Sequence, residues 1–202
     1  GDGASPVIPR VPGKVWRSMK GRTWHRGCPV GRPQLRLLRI NYWGYDGYRY
    51  RGELVAAASV VGQMAGALRD MYDAGLPIRS MVRADRFGWS SRLKGADDYA
   101  SMAAGNTSAF NCRVVAGTSR LSQHALGRAI DINPVQNPFV TGGRTSPSAG
   151  VDYDTPSERK RAAKGVITAG DAVVRAFRKR GWGWGGDWTS MKDYQHFSAN
   201  GN

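Results

Sequence analysis

The sequence predicts an α+β fold, with a small antiparallel sheet flanked by helices. The chain has 202 residues, of which 41% are hydrophobic, and this is enough for one domain with its own core. Apolar residues recur at helical spacing in two separate regions, and short runs typical of strands lie between them. These segments follow no βαβ order, so we expect a mixed α+β arrangement and not a parallel sheet.

The first 34 residues are predicted to form an extended basic N-terminal arm, ahead of a single domain over residues 35–202. Pro, Gly and Arg dominate the arm, and it has little periodicity. The stretch INYWGYDGYRY, residues 40–50, places aromatic residues between glycines and indicates either a hairpin or a loop packed on the domain. Interleaved aromatic and basic residues are also typical of surfaces that bind glycans or nucleic acids.

A long helix is predicted over residues 52–74, where apolar residues recur three or four positions apart. They are Leu54, Val55, Ala58, Val61, Ala65, Leu68 and Tyr72. Gly75 supplies the end of this helix. Residues 78–83 and 109–115 are predicted strands, and residues 97–105 are predicted to form a short helix.

A second long helix is predicted to begin at Pro156 and to end at Gly181. Thr155 is a typical N-cap residue, and Glu158 completes a capping box with it. The apolar stripe of this helix consists of Ala162, Val166, Ala169, Val173 and Phe177. The Pro- and Gly-rich stretch over residues 133–150 is predicted to be a loop.

The charge of the chain favours an anionic partner. The formal net charge is +15, and residues 10–51 contain eleven Lys or Arg against one acid, Asp46. Nucleic acid, an anionic membrane surface and a wall that carries teichoic acid all fit this charge, and solubility alone is the alternative. The sequence has neither zinc-finger spacing nor an RNP-like strand, so we expect no nucleic-acid partner. It also has no apolar run of membrane-spanning length, so we expect no membrane span. The chain is expected to be a monomer.

Two cysteines, Cys28 and Cys112, allow one disulfide. Such a bridge would imply an oxidising compartment outside the cytoplasm. The alternative is a metal site that joins His25 to Cys28, although the nearby sequence offers few further ligands.

The stretch SQHALGRAID, residues 122–131, contains one of only three histidines. In a straight strand, His124 and Asp131 would point to opposite faces, but Gly127 permits a tight turn that brings them together. Apolar residues flank Asp131, and a half-buried carboxylate is costly unless it is paired or binds a metal. The stretch alone is compatible with a structural hydrogen bond or with a metal site.

The C-terminal stretch WGWGGDWTSMKDYQHF, residues 182–197, holds the last histidine. Zinc binds imidazole nitrogen and carboxylate oxygen, and a catalytic zinc site keeps a fourth position open. His124, Asp131 and His196 would supply three such ligands. Asp193 should then lie on the loop before the strand of His196, as a non-ligand acid near the metal.

These two stretches together carry a resemblance to a known family. SQHALGRAID matches the Ser-x-His-x-x-Gly-x-Ala-x-Asp signature of zinc D-Ala-D-Ala carboxypeptidases and L-alanyl-D-glutamate endopeptidases, and DYQHF resembles their closing acid-x-x-His element. The resemblance covers residues 76–198. It implies the Hedgehog/DD-peptidase fold and action on bacterial peptidoglycan.

The resemblance also implies a set of site residues. The zinc ligands would be His124, Asp131 and His196, and Asp193 would be the general base. Ser122 would contact or orient the substrate, and Arg113 or Arg83 would hold a substrate carboxylate or polarise the scissile carbonyl.

Aspartate at position 193 favours the endopeptidase branch, because the carboxypeptidase branch tends to have Glu there. The resemblance therefore implies cleavage of the L-Ala-D-Glu bond in the peptidoglycan stem, with release of terminal D-Ala as the alternative. A non-catalytic zinc-containing module that binds the wall or a polyanion is a third interpretation. The expected partners are peptidoglycan and anionic wall polymers, and the expected location is secreted, at the cell wall.

Overall fold

A two-stranded hairpin is the largest β element of the computed structural model, which describes residues 3–161 and 163–202. Strands β1 (Leu35–Trp43) and β2 (Arg49–Ala57) pair antiparallel, with Leu37 opposite Val55 and Tyr42 opposite Tyr50. The aromatic-rich stretch at residues 40–50 is therefore a hairpin, which is one of the two structures that its sequence indicates.

The other elements are short. The helices are α1 (Gly13–Met19), α2 (Val61–Asp73), α3 (Asp98–Ala103), α4 (Pro156–Arg159) and α5 (Ala172–Arg178). The strands are β3 (Trp89–Ser90), β4 (Gly95–Ala96), β5 (Ala129–Asp131), β6 (Phe139–Thr141), β7 (Arg144–Ser146), β8 (Gly183–Trp184), β9 (Lys192–Asp193) and β10 (His196–Ser198). They form three small antiparallel sheets with the orders β3-β4, β5-β10-β8 and β7-β6-β9.

This mixture of helices and antiparallel strands confirms the α+β class. Within the described parts of the chain, no helix combines the length and the apolar character that a membrane span requires.

The predicted helix over residues 52–74 is wrong in its first third, where the chain continues as β2. The reason is that β2 is buried on both faces. Leu54 packs in a core with Leu38 and Met64, whereas Val55 packs in a second core with Leu37. A strand with apolar residues on both faces can show the same three- and four-residue spacing as a helix. The apolar residues of β2 therefore continue, towards the N-terminus, the pattern of α2, which begins only at Val61.

The second predicted helix is two helices, α4 and α5, and the glycines between them explain the break. Gly165 and Gly170 adopt φ values of +87° and +78°, which an α-helix does not contain. Of the predicted apolar stripe, Val173 and Phe177 are buried on α5. Val166 and Ala169 lie in the connection between the helices, and Ala162 lies outside the described residues.

The predicted start of this region is confirmed. Thr155 Oγ1 accepts a hydrogen bond from the backbone N–H of Glu158, and the Glu158 carboxylate accepts one from the backbone N–H of Thr155. The reciprocal pair satisfies two of the free N–H groups at the start of α4.

Three further predictions meet a mixed outcome. Residues 97–105 contain the short helix α3, as predicted. The stretches 78–83 and 109–115 are not regular strands, because they pair only through isolated bridges such as Ser80 with Asn106 and Val114 with Leu121. The predicted loop over residues 133–150 contains the hairpin of β6 and β7.

The N-terminal segment is not extended throughout, since it contains α1. Val7 and Arg10 pair with Arg39 and Arg36 along the free edge of β1. The apolar side of α1 lies in the second core, together with Leu35, Leu37, Phe110 and Cys112; its buried members include Val15 and Met19. The division of the chain at residue 34 into an arm and a domain stays a prediction.

The disulfide between Cys28 and Cys112 is present, as the sequence allows. It joins residues 84 positions apart and ties the segment after α1 to the chain that leads towards residue 122. His25 lies beside it, but the two sulfur atoms are bonded to each other and offer no thiolate to a metal.

Replacement of both cysteines by serine should lower the free energy of unfolding by about 4 kcal/mol, because the bridge closes a long loop in the unfolded chain. Urea denaturation of the wild type and of the double variant measures this difference. Wild-type protein in reductant is the matched control and should show a similar loss. An unchanged urea midpoint in both samples would contradict the expected stabilisation.

Candidate metal centre

A tight turn places His124 against Asp131. His124 lies in a 3-10 turn over Gln123–Leu126, and Ser122 caps it, since its Oγ accepts a hydrogen bond from the His124 backbone N–H at 3.2 Å. Gly127 ends the turn with a φ of +69°, and a β-carbon there would lie 2.6 Å from the backbone nitrogen of Ala57. A side chain at position 127 would therefore disrupt the turn that leads into β5.

The third residue of the group comes from the neighbouring strand. His196 on β10 lies directly opposite Asp131 on β5 in the antiparallel pairing. Asp193 ends the preceding strand β9, where it pairs with Phe139 of β6, so it lies on a strand end and not on the loop that we predicted. Two residues, Tyr194 and Gln195, connect β9 to β10 and let both strands contribute to one site.

His124, Asp131 and His196 form one compact buried cluster. Their fractional exposures are 2%, 4% and 6%. His124 Nε2 lies 3.0 Å from Asp131 Oδ2, and His196 Nδ1 lies 3.2 Å from Asp131 Oδ1. One nitrogen or oxygen atom from each residue falls within 4.8 Å of the others. The structure thus brings together the three residues that the sequence predicts as ligands.

The outer nitrogen of each imidazole is held by a backbone carbonyl. His124 Nδ1 lies 2.7 Å from the carbonyl oxygen of Ala109, and His196 Nε2 lies 2.8 Å from that of Asn202. Because a carbonyl oxygen only accepts, these two nitrogens carry the protons and donate. In a neutral imidazole, the lone pair is then on the nitrogen that faces the cluster.

This arrangement fits a metal ion. His124 Nε2 is buried and lies 3.0 Å from Asp131 Oδ2, but among the described residues it has no well-aligned hydrogen bond, which is costly unless another ligand engages it. Two imidazole nitrogens and one carboxylate oxygen form a donor set that suits zinc, and ligating histidines typically donate their other N–H to a carbonyl or carboxylate.

Charge is balanced inside the cluster. Burial raises the pKa of Asp131, but His124 and His196 outweigh burial and hold that pKa well below its usual range. Burial lowers the pKa of His196, yet its hydrogen bond to Asp131 and the negative charge there raise that pKa to about 9. The metal-free cluster therefore contains a carboxylate and a protonated His196 near neutral pH.

Metal binding should release a proton from His196 and should weaken as the pH falls below about 9. The sign follows because protons and the metal compete for the same nitrogen. Calorimetric titration with zinc at pH 7, in buffers with different ionisation enthalpies, measures the protons released. Apparent affinity that is constant between pH 6 and pH 9 would contradict this competition.

Asp193 differs from Asp131 in its surroundings. Its Oδ1 is buried and has no hydrogen-bond partner among the residues that the structure describes. Burial raises the pKa of Asp193 to about 7; the positive charge of His196 opposes this, and the negative charges of Asp131 and Asp98 add to it. A β-carbon at Gly185 would lie 2.9 Å from the β-carbon of Asp193, so glycine there lets the chain cover this carboxyl closely. Such a carboxyl can exchange a proton near neutral pH.

Arg113 also lies near the group. Its backbone carbonyl accepts a hydrogen bond from the backbone N–H of Ser122, and its Nη2 lies 3.2 Å from Asp98 Oδ2. Its Nε is buried, and no described residue accepts a hydrogen bond from it. The positive charge of Arg113 lowers the pKa of Asp193, which agrees with a position beside the site.

Arg83, the other predicted substrate residue, is already engaged elsewhere. Its Nε lies 3.0 Å from Asp85 Oδ1 and its Nη1 lies 2.7 Å from Glu53 Oε1, with the guanidinium almost fully buried. These ion pairs join β2 to the turn after residue 83. The structure therefore explains Arg83 by packing, without a substrate.

Sequence reasoning missed Asp98, Ala109 and Asn202. Asp98 reaches Arg113 from the first turn of α3, and the other two act only through backbone carbonyls. A backbone carbonyl is the same in every residue type, so no sequence signal marks it. An acid at the start of a helix is common, and its pairing with an arginine fifteen residues later depends on tertiary structure.

Comparisons with known proteins bear on the same part of the chain. Residues 116–199 match the sequence pattern of a family described as D-alanyl-D-alanine carboxypeptidase. Comparisons with curated proteins and with solved structures gave no match. The matched range contains all three residues of the cluster and Asp193, whereas Arg113 lies just before it. This match over residues 116–199 agrees with the resemblance to zinc peptidases that SQHALGRAID and DYQHF carry.

Proposed function

We propose that the chain is a zinc-dependent peptidase of the Hedgehog/DD-peptidase fold that hydrolyses a peptide bond in the stem peptide of bacterial peptidoglycan. The observation that carries this proposal is the cluster of His124, Asp131 and His196, with both imidazoles oriented by backbone carbonyls. The family match over residues 116–199 supports a peptidase, and the donor set supports zinc.

Zinc held by these three residues would polarise the scissile carbonyl and lower the pKa of the attacking water. The protein supplies the proton transfers. Asp193, with one oxygen free of hydrogen bonds, accepts the proton of the attacking water and then donates it to the leaving amine. No side chain of the site needs to form a covalent bond to the substrate.

Arg113 is the proposed substrate-binding cation. Asp98 binds one terminal nitrogen of its guanidinium, and the Val114 carbonyl accepts a hydrogen bond from the other. Nε has no partner among the described residues and is available to donate to a substrate carbonyl or carboxylate. Ser122 serves to orient His124 through the cap of the turn. Arg83 has no substrate role in this proposal, because Glu53 and Asp85 already bind its guanidinium.

The proposed bond is L-Ala-D-Glu, inside the stem. Aspartate is one methylene shorter than glutamate, so the attacking water must lie closer to the backbone of residue 193. This sets the geometry of the base, and the choice of bond rests on the family pattern for aspartate. Release of terminal D-Ala is the second candidate, since the matched family is described as a carboxypeptidase.

The proposed location is outside the cytoplasm, at the cell wall. The disulfide between Cys28 and Cys112 is of a kind that persists in oxidising compartments. The proposed substrate lies in the same compartment.

Digestion of purified peptidoglycan tests the function. Mass analysis of the fragments, with labelling of new amino termini, should reveal D-Glu or D-isoGln at new termini. Free D-Ala from otherwise intact stems would establish the carboxypeptidase alternative. Wall binding without any cleavage, by protein loaded with zinc, would favour a non-catalytic module and overturn the proposal.

A further inference from the structure

A group of basic side chains gathers around α1 and the start of β1. Arg10, Lys14, Arg17 and Arg32 are exposed, and Arg36 is half-buried. Arg10 pairs with Arg36 through a backbone bridge. A β-carbon placed on Gly13 would lie 3.4 Å from Arg17 Nη1 and 3.9 Å from Arg32 Nη2, so two guanidinium groups approach the same point. We call these five residues the α1 basic face.

Within the described parts of the chain, no acid pairs with the side chains of this face. Among the described residues, no Asp or Glu oxygen lies within 4.0 Å of a charged nitrogen of the five. The side chains that have hydrogen bonds donate to backbone carbonyls: Arg32 to Val11, and Arg36 to Pro33 and Leu35. Asp46, the one acid of residues 10–51, is bound by Tyr50 at the far end of the hairpin.

Like charges that converge repel one another, and a carboxylate nearby would relieve the repulsion. Some cations elsewhere on the surface have that relief, since Lys179 and Arg180 share Asp70, and Arg178 pairs with Asp187. On the α1 basic face, the relief must come from solvent ions or from an anionic ligand. Release of those ions on binding favours a polyanion over a single small anion.

The face is attached firmly to the peptidase site. The backbone bridges to β1 hold the segment before α1, and the disulfide holds the segment after it. Cys112 follows Asn111, whose backbone N–H donates to the carbonyl of His124. A polymer bound on the α1 basic face would therefore keep the site close to the material around that polymer.

We propose that the α1 basic face binds a polyol-phosphate polymer of the bacterial wall, a flexible chain of phosphodiesters. The proposal rests on the proposed function, because the disulfide and the peptidoglycan substrate place this surface among wall polymers. Phosphodiester chains match converging guanidinium and ammonium groups in charge. Nucleic acid carries the same phosphodiester chemistry and is the alternative that the test must separate.

The test compares two triple variants with equal loss of charge. Arg10→Gln, Lys14→Gln and Arg17→Gln change the face. Arg144→Gln, Lys160→Gln and Arg161→Gln, all exposed elsewhere, form the control. Binding to poly(glycerol phosphate) is measured at several salt concentrations. Hydrolysis of a short soluble stem peptide is measured in parallel and should be unchanged in both variants.

The face variant should bind poly(glycerol phosphate) at least about tenfold more weakly than the wild type. The magnitude of the slope of log K against log salt should decrease by about 2, as expected for three lost phosphate contacts. The control should retain most of the wild-type slope. If the triple face variant does not fold, the single variants Lys14→Gln and Arg17→Gln replace it. Each should decrease the magnitude of the salt-dependence slope by about 0.7.

Equal losses in both triple variants would mean a general charge effect and would overturn the proposal. So would tighter binding of the wild type to duplex DNA than to poly(glycerol phosphate) at equal phosphate and salt. If the wild type binds the polymer but does not hydrolyse the stem peptide, the proposed function is wrong. The comparison of the two triple variants still tests polymer binding by the α1 basic face.

Discussion

Alanine at position 124 should remove the bound metal and abolish peptide hydrolysis. Among the described residues, His124 Nε2 is a buried nitrogen without a well-aligned hydrogen bond, and its loss leaves only two ligands. Changes to the outer partners of metal ligands already cost about 10- to 100-fold in metal affinity, so removal of a ligand itself should exceed that range. Metal content after purification without chelator, together with hydrolysis of the stem peptide, measures both effects.

The chain offers a matched control in His25, the histidine outside the cluster. Its ring nitrogens lie 2.9 Å and 3.0 Å from the carbonyl oxygens of Arg26 and Lys94. His25→Ala should retain metal and activity if it remains folded. A His124→Ala protein that binds a full equivalent of zinc would show that the assignment of this ligand is wrong.

Asparagine at position 193 should leave the metal bound and lower the hydrolytic rate at least about 10²-fold, the usual contribution of a positioned acid or base. An amide has nearly the same shape as the carboxyl and does not take up the proton. Since the carboxyl must be ionised to act as the base, wild-type activity should fall as the pH drops below about 7. A bound cation nearby lowers the pKa of this carboxyl, so in the metal-bound protein the loss of activity should occur at a lower pH.

Asp187 is the acid that serves as the control for Asp193. It lies on the surface in the same C-terminal stretch and pairs with Arg178. Asp187→Asn should change the rate by less than threefold, since an exposed ion pair contributes little. If Asp193→Asn loses zinc and activity together, Asp193 is a ligand, and the roles assigned within the site are wrong.

The predicted site depends on short-range patterns, and this is why most of it could be read from the sequence. The turn at Gly127 needs one glycine, and two short motifs contain His124, Asp131 and His196. The pairing of β5 with β10 that joins the motifs is long-range, and its prediction rests on the family resemblance. Asp193 was predicted on a loop and lies on a strand, because the pairing of β9 with β6 joins residues far apart in the sequence. Its role as the base stays a prediction.

The long elements were predicted less well, for physical reasons. Burial on both faces of β2 mimics helical spacing, so Leu54 and Val55 were placed in a helix. Conversely, the cap at Thr155 correctly marks a helix start, but a cap does not determine how far the helix extends. Gly165 and Gly170 end that helical region through backbone conformations that apolar periodicity does not reveal.

Side-chain partners over long separations were not predictable at all. Arg83 and Arg113 were equal candidates in the sequence, and only the positions of Glu53, Asp85 and Asp98 distinguish them. The convergence of Arg17 and Arg32 likewise depends on how α1 packs beside β1.

Titration of metal-free protein with zinc, with bound metal and stem-peptide hydrolysis followed in the same samples, tests the central claim most directly. The cluster of His124, Asp131 and His196 predicts that hydrolysis rises in proportion to bound zinc and reaches its maximum at about one equivalent. Full hydrolysis by the metal-free protein, or a maximum that needs a second equivalent, would contradict a single catalytic zinc at this cluster.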